Sequence, residues 1–553
     1  MDSDMLNCRA TEQEIQGHAI WSAGRVRDLI YRTTNMPTTS SELKRNLHHL
    51  AQVHQAKPVD LDKELSSTIA RMSDAGWWAR NLRRELIREN ESQEHAAAAI
   101  HKLTQCYVSD HAVKVKRTRR KANKQTLDAL EVVNEHGEAF NLGEVANSSI
   151  SNPALRRAEL MMRCRGFEEV ANVYGHVARF LTITAPSRFH RFHGDAKDEI
   201  PNPKWDGSSP KDAQNYLSDI WKRIRAAWHR KGFTPYGFRV AEPHHDGCPH
   251  WHILLWMPKE QAGWFSPMKM IRGEVSGSGI VGIVGAYAMR DSTNEINYRN
   301  RTARFDVKVI KESQGTATGY IAKYICKNVD GLREDGTDMG EDLEADAPVT
   351  VASGRVRDWA SVWGIRQFQQ IGGPSVTVWR ELRRMREEID QAVTSVAFDF
   401  EGVRKAVDDS KWAQFWILLG GPWTKRADLA MKPFLVEAQG GKYGDTIKRI
   451  FGVTGRNDSG EYMLRTRMHE WSVQRAGLHC VNVCDAEHKE WMHLNKELQQ
   501  IEREWGLPVR GDVRFPLGGF EESTPRTSVN NCTDFAIDIP RTGDIRSPPI
   551  SVG

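Results

Sequence analysis

The chain has 553 residues, too many for one hydrophobic core, so about two to four domains are expected. Charged residues make up 27% and hydrophobic ones 39%, with no apolar run of about eighteen residues, which excludes a membrane-spanning helix and points to a soluble protein. A net charge of +5 permits a nucleic-acid partner without arguing for one, so local patches matter more.

Residues 1–8 lack the basic and apolar regions of a signal peptide, and the eight cysteines follow no regular framework, which fits a reducing cytoplasm. Residues 1–150 read as a mainly helical region. Apolar residues recur at helical spacing over 42–50 and 77–87. A dense basic run follows at 114–124. Its Lys114, Lys116, Arg117, Arg119 and Arg120 suit DNA phosphates, each contact adding salt-sensitive affinity, although a solvated helix or linker explains the run equally well.

Residues 151–385 alternate strand and helix. A strand rich in Thr, Ile and Leu is predicted over 178–184. A helix is predicted over 210–231, with Tyr216, Leu217, Ile220, Ile224 and Trp228 on one face. A hairpin follows, from 233–242 to 250–257, with Asp246-Gly247 as its turn signal. Residues 258–274 read as partly helical, 304–311 as an alternating strand and 316–329 as a helix. This order suits an antiparallel sheet with helices on one side. The acidic, glycine-rich stretch 330–346 reads as a mobile loop.

The chemistry concentrates in the hairpin. His250 and His252 are two residues apart on a strand, so both imidazoles point to one face and can offer a cation two nitrogen ligands. The hairpin can bring the Glu242 carboxylate beside them, giving three ligands with open positions, as catalysis needs. A His-x-His pair on a solvated face is the plain alternative. His244 and His245, in the turn, would ordinarily face solvent, though either could replace Glu242. About 70 residues on, Tyr320 and Tyr324 lie one helical turn apart, each with a lysine three residues later, Lys323 and Lys327.

Together these elements resemble the HUH endonucleases, named for His-hydrophobic-His, of the two-tyrosine rolling-circle initiator type; Trp251 is the middle residue here. Phe180-Leu-Thr-Ile-Thr-Ala-Pro-Ser187 resembles their first motif. Arg163-Cys-Arg-Gly-Phe-Glu-Glu169 and the segment 359–383 are similar to the replication gene A proteins of tailed temperate phages. The resemblance implies an α+β fold: a central antiparallel sheet, an RRM-like or ferredoxin-like palm flanked by helices, with the metal pair on a central strand and the tyrosine helix alongside. It makes 151–385 an HUH endonuclease domain working in the cytoplasm of a bacterial host.

These residues suit transesterification at a DNA phosphodiester. A tyrosine hydroxyl, with a solution pKa of about 10, needs help to attack phosphorus at neutral pH. A Mg2+ or Mn2+ ion on His250, His252 and Glu242 would orient the scissile phosphate, and Lys323 and Lys327 would stabilise developing charge. The expected partner is single-stranded origin DNA, held covalently as a 5′-phosphotyrosine during rolling-circle replication. No Gly-x-x-x-x-Gly-Lys-Ser/Thr loop is present, so unwinding falls to a host helicase and the host replication machinery. A relaxase or single-strand transposase is an alternative of the same class; relaxases usually carry three histidines, and many such transposases one tyrosine. A non-catalytic origin-binding or repressor protein is the alternative of a different class.

Residues 386–507 read as a mainly helical region, with helices expected over 410–419 and 486–505. His479, Cys480, Cys484 and His488 imitate a zinc site, but no second cysteine pair follows. Residues 508–553, rich in Pro, Ser, Thr and Arg, read as a disordered tail.

Overall fold

The computed structural model describes residues 5–34, 39–192, 200–291, 304–310, 315–333, 335–342, 345–385, 399–439, 441–457 and 460–475. The expected helix 486–505, the Cys480/Cys484 cluster and the tail 508–553 lie outside the described residues. The chain divides into two units.

The first unit takes in the N-terminal helices as far as Glu91 and the segment Leu435–Ile450. Its helices include Glu12–Thr34, Ser40–Val53 and Leu65–Met72. The second of these starts where Thr39 Oγ1 accepts the Glu42 amide at 3.2 Å, satisfying one of the unpaired amides at the helix start. Leu43, Leu47 and Ala51 then fall every fourth residue on a buried stripe, which packs with Ala19, Val26, Trp78 and Leu82.

The second unit runs from Ser92 to Phe434 and includes Phe451–Val473. It holds an antiparallel five-stranded sheet, ordered Phe368–Ile371, Tyr236–Pro243, Pro249–Met257, Val177–Thr184, Phe305–Val309. The strand carrying the histidines is therefore central. Its partners are in register so that Glu242 faces His250 on one side and Thr182 faces His252 on the other. The hairpin turn bonds from the His244 amide to the Cys248 carbonyl at 2.8 Å. Gly247 sits in it at φ +79°, a conformation that costs glycine little.

Helices cover both faces of this sheet, not one side as the element order suggested. All nine residues of Pro249–Met257 are buried. Leu254 and Trp256 pack with Phe167, Ile321 and Ile325, from helices Pro153–Tyr174 and Ala317–Val329. The alternate residue Trp251 turns the other way, its indole donating to Gln214 Oε1 at 3.0 Å and lying 6.2 Å from the Trp221 ring, both on helix Pro210–Arg230. A strand covered on both faces reads as a continuous apolar run, so alternation could not reveal the second layer.

One further reading changes. Among the described residues, the C-terminal region 386–507 is not mainly helical. Helices Phe400–Asp408 and Trp412–Leu418 give way to strands Met431–Gln439, Thr446–Asn457, Gly460–Arg465 and Trp471–Arg475. Thr446-Ile-Lys-Arg-Ile-Phe-Gly-Val-Thr454 is dense in β-branched residues, a strand signal that outweighs the helix formers around it. Within the acidic stretch 330–346, the described residues make local pairs. Leu332 bridges Asp338, Glu341–Asp342 pairs with Ala347–Pro348, and Asp342 is buried.

The histidine hairpin is clamped at its turn. The Tyr107 amide donates to the His245 carbonyl at 3.1 Å, and the Trp359 indole to the Gly247 carbonyl at 2.8 Å. His95 packs there too, buried, with no hydrogen-bond partner for Nε2 among the described residues. Burial pulls its pKa down to about 4, ahead of the opposing charge of Asp246. An unfolded histidine takes its proton near pH ~6.5, so as pH falls from there toward 4 the unfolded chain binds a proton that the folded one refuses. Stability contributed by this residue is therefore complete above ~6.5 and falls by roughly 2 kcal/mol between pH 7 and 5. Urea midpoints at the two pH values, compared with His95→Gln, measure it; an equal pH slope in the variant would reject the assignment.

Candidate active site

Strand pairing and the two-residue period bring His250, His252 and Glu242 together. The two histidine Nε2 atoms stand 2.8 Å apart, and Glu242 Oε2 lies 3.9 Å from His252 Nε2. One ligand atom from each of the three falls within 4.8 Å of the others. All three residues are buried, at 3%, 7% and 8% exposure for Glu242, His250 and His252. Donors about 2.1 Å from a single ion stand about 3.0–3.4 Å apart, so the histidine pair is slightly closer and the carboxylate slightly farther than a bound set, within a small side-chain adjustment of one shared cation. Burial, followed by the neighbouring His244, holds the pKa of both histidines well below the usual value. Their imidazoles are then neutral at physiological pH, with lone pairs free for a metal.

His244 and His245 do not face solvent in the turn and do not enter this trio. The His244 ring lies on His250, centroids 4.0 Å apart, and burial takes its pKa down to about 3. His245 is buried beneath Tyr107.

The trio is held from both sides. Thr182 Oγ1 is 3.1 Å from His252 Nδ1. Asn328 donates to Glu242 Oε1 and to the Tyr324 carbonyl, while its own oxygen accepts from the Gln367 side chain at 3.2 Å. Asn328 stands one turn beyond Tyr324 on the same helix face, so its position was readable in the sequence. Gln367 carried no local signal, because only the strand order brings it near.

Both tyrosines sit on helix Ala317–Val329. Ile321, Ile325 and Val329 bury one face of it. Thr316 Oγ1 accepts the Gly319 amide at 3.0 Å, and Glu168 accepts the Ala317 and Thr318 amides at 2.6 and 3.3 Å. A carboxylate at that end also suits the helix dipole. The tyrosines differ in surroundings. Tyr324 lays its ring 4.0 Å from His252 and 5.3 Å from Phe180. Tyr320 stands a turn earlier, its ring 6.3 Å from Phe180. Burial first, then the Glu242 and Asp306 charges, push the Tyr324 hydroxyl up to about 12.

The two lysines also differ. Lys323 is exposed, its Nζ 4.8 Å from the Tyr324 ring centroid. Lys327 is not simply available to developing charge, because its Nζ lies 3.2 Å from Asp342 Oδ2 in the acidic loop. The same Asp342 oxygen accepts the Tyr107 hydroxyl at 2.9 Å.

The basic run forms part of helix Asp110–Asp128. Arg120 is ion-paired with the buried Asp358, and Lys116 Nζ donates to Ser361 Oγ at 2.9 Å. Lys114 and Arg117 are exposed. Neutralising all five basic residues would also strand Asp358, so Lys114→Gln/Arg117→Gln is the cleaner variant. If the run meets phosphates, that pair should weaken binding to every sequence and lower the single-strand salt slope by about 1.4. Titrations between low and moderate salt read this directly; an unchanged slope returns the helix to a solvated role.

A family model described as bacteriophage replication gene A protein (GPA) matches residues 26–332, a window holding Glu242, His250, His252, Tyr320 and Tyr324. The replication gene A protein of Escherichia phage 186 is 36% identical over 417 residues, 74% of this chain and 56% of that protein. That of Escherichia phage P2 is 32% identical, over 74% of this chain and 52% of its own length. A probable replication endonuclease from a prophage-like region of Salmonella typhimurium is 33% identical, over 72% of this chain and 47% of its own. The chain thus spans about half the length of the curated relatives it matches. No solved structure matches it.

Proposed function

The chain belongs to the bacteriophage replication gene A protein family, and from that premise we propose that it is a metal-dependent DNA-nicking and joining endonuclease that initiates and terminates rolling-circle replication. The observation that carries this reading is the meeting of two buried histidines and a carboxylate with the ring of Tyr324. His250, His252 and Glu242 would hold Mg2+ or Mn2+, two nitrogens favouring the latter. When bound, the ion withdraws charge from the scissile phosphate and lowers the cost of forming tyrosinate.

Tyr324, against His252, attacks phosphorus first. The Tyr324 oxygen–phosphorus bond forms and the bond from phosphorus to the 3′ oxygen breaks. The phenol proton is lost to solvent and the departing oxygen takes one up. The 5′ end stays on the enzyme, and the free 3′-hydroxyl can prime synthesis. Exposed Lys323 offsets phosphate charge. When the origin is regenerated, Tyr320 attacks it in the same way. The new 3′-hydroxyl then attacks the Tyr324 phosphotyrosine and closes a circle. The bond energy is retained in the protein–DNA link, so joining needs no nucleotide. Single-stranded origin DNA is the substrate, with a host helicase opening the duplex.

The experiment is covalent capture. The full chain is incubated with single-stranded phage DNA and Mn2+ or Mg2+, and protein–DNA adducts are resolved under denaturing conditions. A single attached 5′ end is expected on sequencing. Binding without any adduct would replace this reading with that of a non-catalytic origin-binding protein.

A further inference from the structure

A second cluster of ligand-type side chains lies away from the histidine–tyrosine site. Glu135 and His136 occupy the turn between strands Leu130–Asn134 and Ala139–Asn141. His469 stands just before Trp471–Arg475, the edge strand paired beside Leu130–Asn134. Glu135 Oε1 lies 2.9 Å from His469 Nδ1 and 3.5 Å from His136 Nε2. One ligand atom from each residue lies within 4.8 Å of the other two.

The separations and the donor types both suit a transition metal. Donors about 2.0–2.1 Å from a tetrahedral ion stand about 3.3 Å apart, between the two observed distances. Two imidazoles and one carboxylate form a borderline donor set, the same as at the first site, and it suits Zn2+ or Mn2+ better than Mg2+ or Ca2+, which prefer oxygen.

The local fold gives an ion something to do. The edge strand is five residues long and mostly exposed. Beneath it, among the described residues, the buried core is Val132, Leu142 and Val145, with Trp471 packed 5.8 Å from Phe140. So small a core holds an edge strand weakly. An ion shared by Glu135 and His469 would join positions 334 apart in sequence.

We propose that Glu135, His136 and His469 form a second, structural site for Zn2+ or a similar divalent cation, which staples the edge strand Trp471–Arg475 to the hairpin at Leu130–Asn141. It is independent of the nuclease reading. The test uses the full chain carrying His250→Ala and His252→Ala, which removes the first site. After zinc loading and dialysis, about one equivalent should remain. Adding His136→Ala and His469→Ala should release it, and Glu135→Gln, which keeps an acceptor but drops the charge, should weaken it about tenfold. Cys480→Ser/Cys484→Ser should leave it bound. Zinc should also slow proteolysis around residue 470 in the protein with intact Glu135, His136 and His469, and not in the variant. Circular dichroism checks that each variant folds. No zinc in the parent, zinc unchanged by the two histidine substitutions, or zinc lost only with the cysteines would overturn the proposal and leave Glu135 and His469 a hydrogen-bonded pair.

Discussion

Tyr324→Phe should lower the first nick by at least ~10³-fold, while Tyr320→Phe should still nick and then fail to complete strand transfer. Phenylalanine keeps the ring on His252 and Phe180 and deletes only the attacking oxygen. The folded protein, its metal site and its DNA affinity should therefore survive in both variants. The asymmetry follows from placement: Tyr324 borders the buried trio, and Tyr320 stands one turn away. Labelled origin oligonucleotide captured on a denaturing gel reads the first step, and release of a joined circle reads the second. Should Tyr320→Phe be the variant that loses the first nick, the order is reversed. Should the double variant still capture DNA, the nucleophile is another residue.

If His252 is a metal ligand, as proposed, His252→Ala should abolish cleavage. His252 Nε2 is the nitrogen shared between His250 and Glu242, and its ring also supports Tyr324. Its loss should weaken Mn2+ binding and lower cleavage by at least ~10³-fold. His250→Ala makes the sharper test, because no ring contact between His250 and Tyr324 is formed among the described residues. It should lose the metal while leaving the Tyr324 ring in place. Chelation should silence the wild type, and added Mn2+ should restore the wild type alone. Full nicking by a thoroughly metal-stripped sample would sink the metal assignment.

Sequence alone determined the parts of this site that depend on local periodicity. His250 and His252 must share a face because side chains alternate along a strand, and Tyr320 and Tyr324 because a helix turns every 3.6 residues. Asp246-Gly247 announced the hairpin, and Glu242 could be named from it. Chain-order reading also located the helix over 210–230 and the tyrosine helix to within a residue or so, since each has a cap or an apolar stripe of its own.

Tertiary structure decided everything that rests on docking. Two tyrosines on one helix face are equivalent in sequence; only the seating of Ile321 and Ile325 in the core, with Glu168 at the helix start, sets Tyr324 rather than Tyr320 against His252. Lys323 and Lys327 repeat the same spacing, yet the acidic loop returns Asp342 to Lys327 alone. His244 and His245 carry a polar turn's signature, yet His245 is buried and His244 half-buried, because Tyr107 and Trp359 arrive from distant segments. Periodicity specifies which way a side chain points along its own element. What it points at is set by long-range packing, in which hydrophobic burial is non-directional and leaves no local mark.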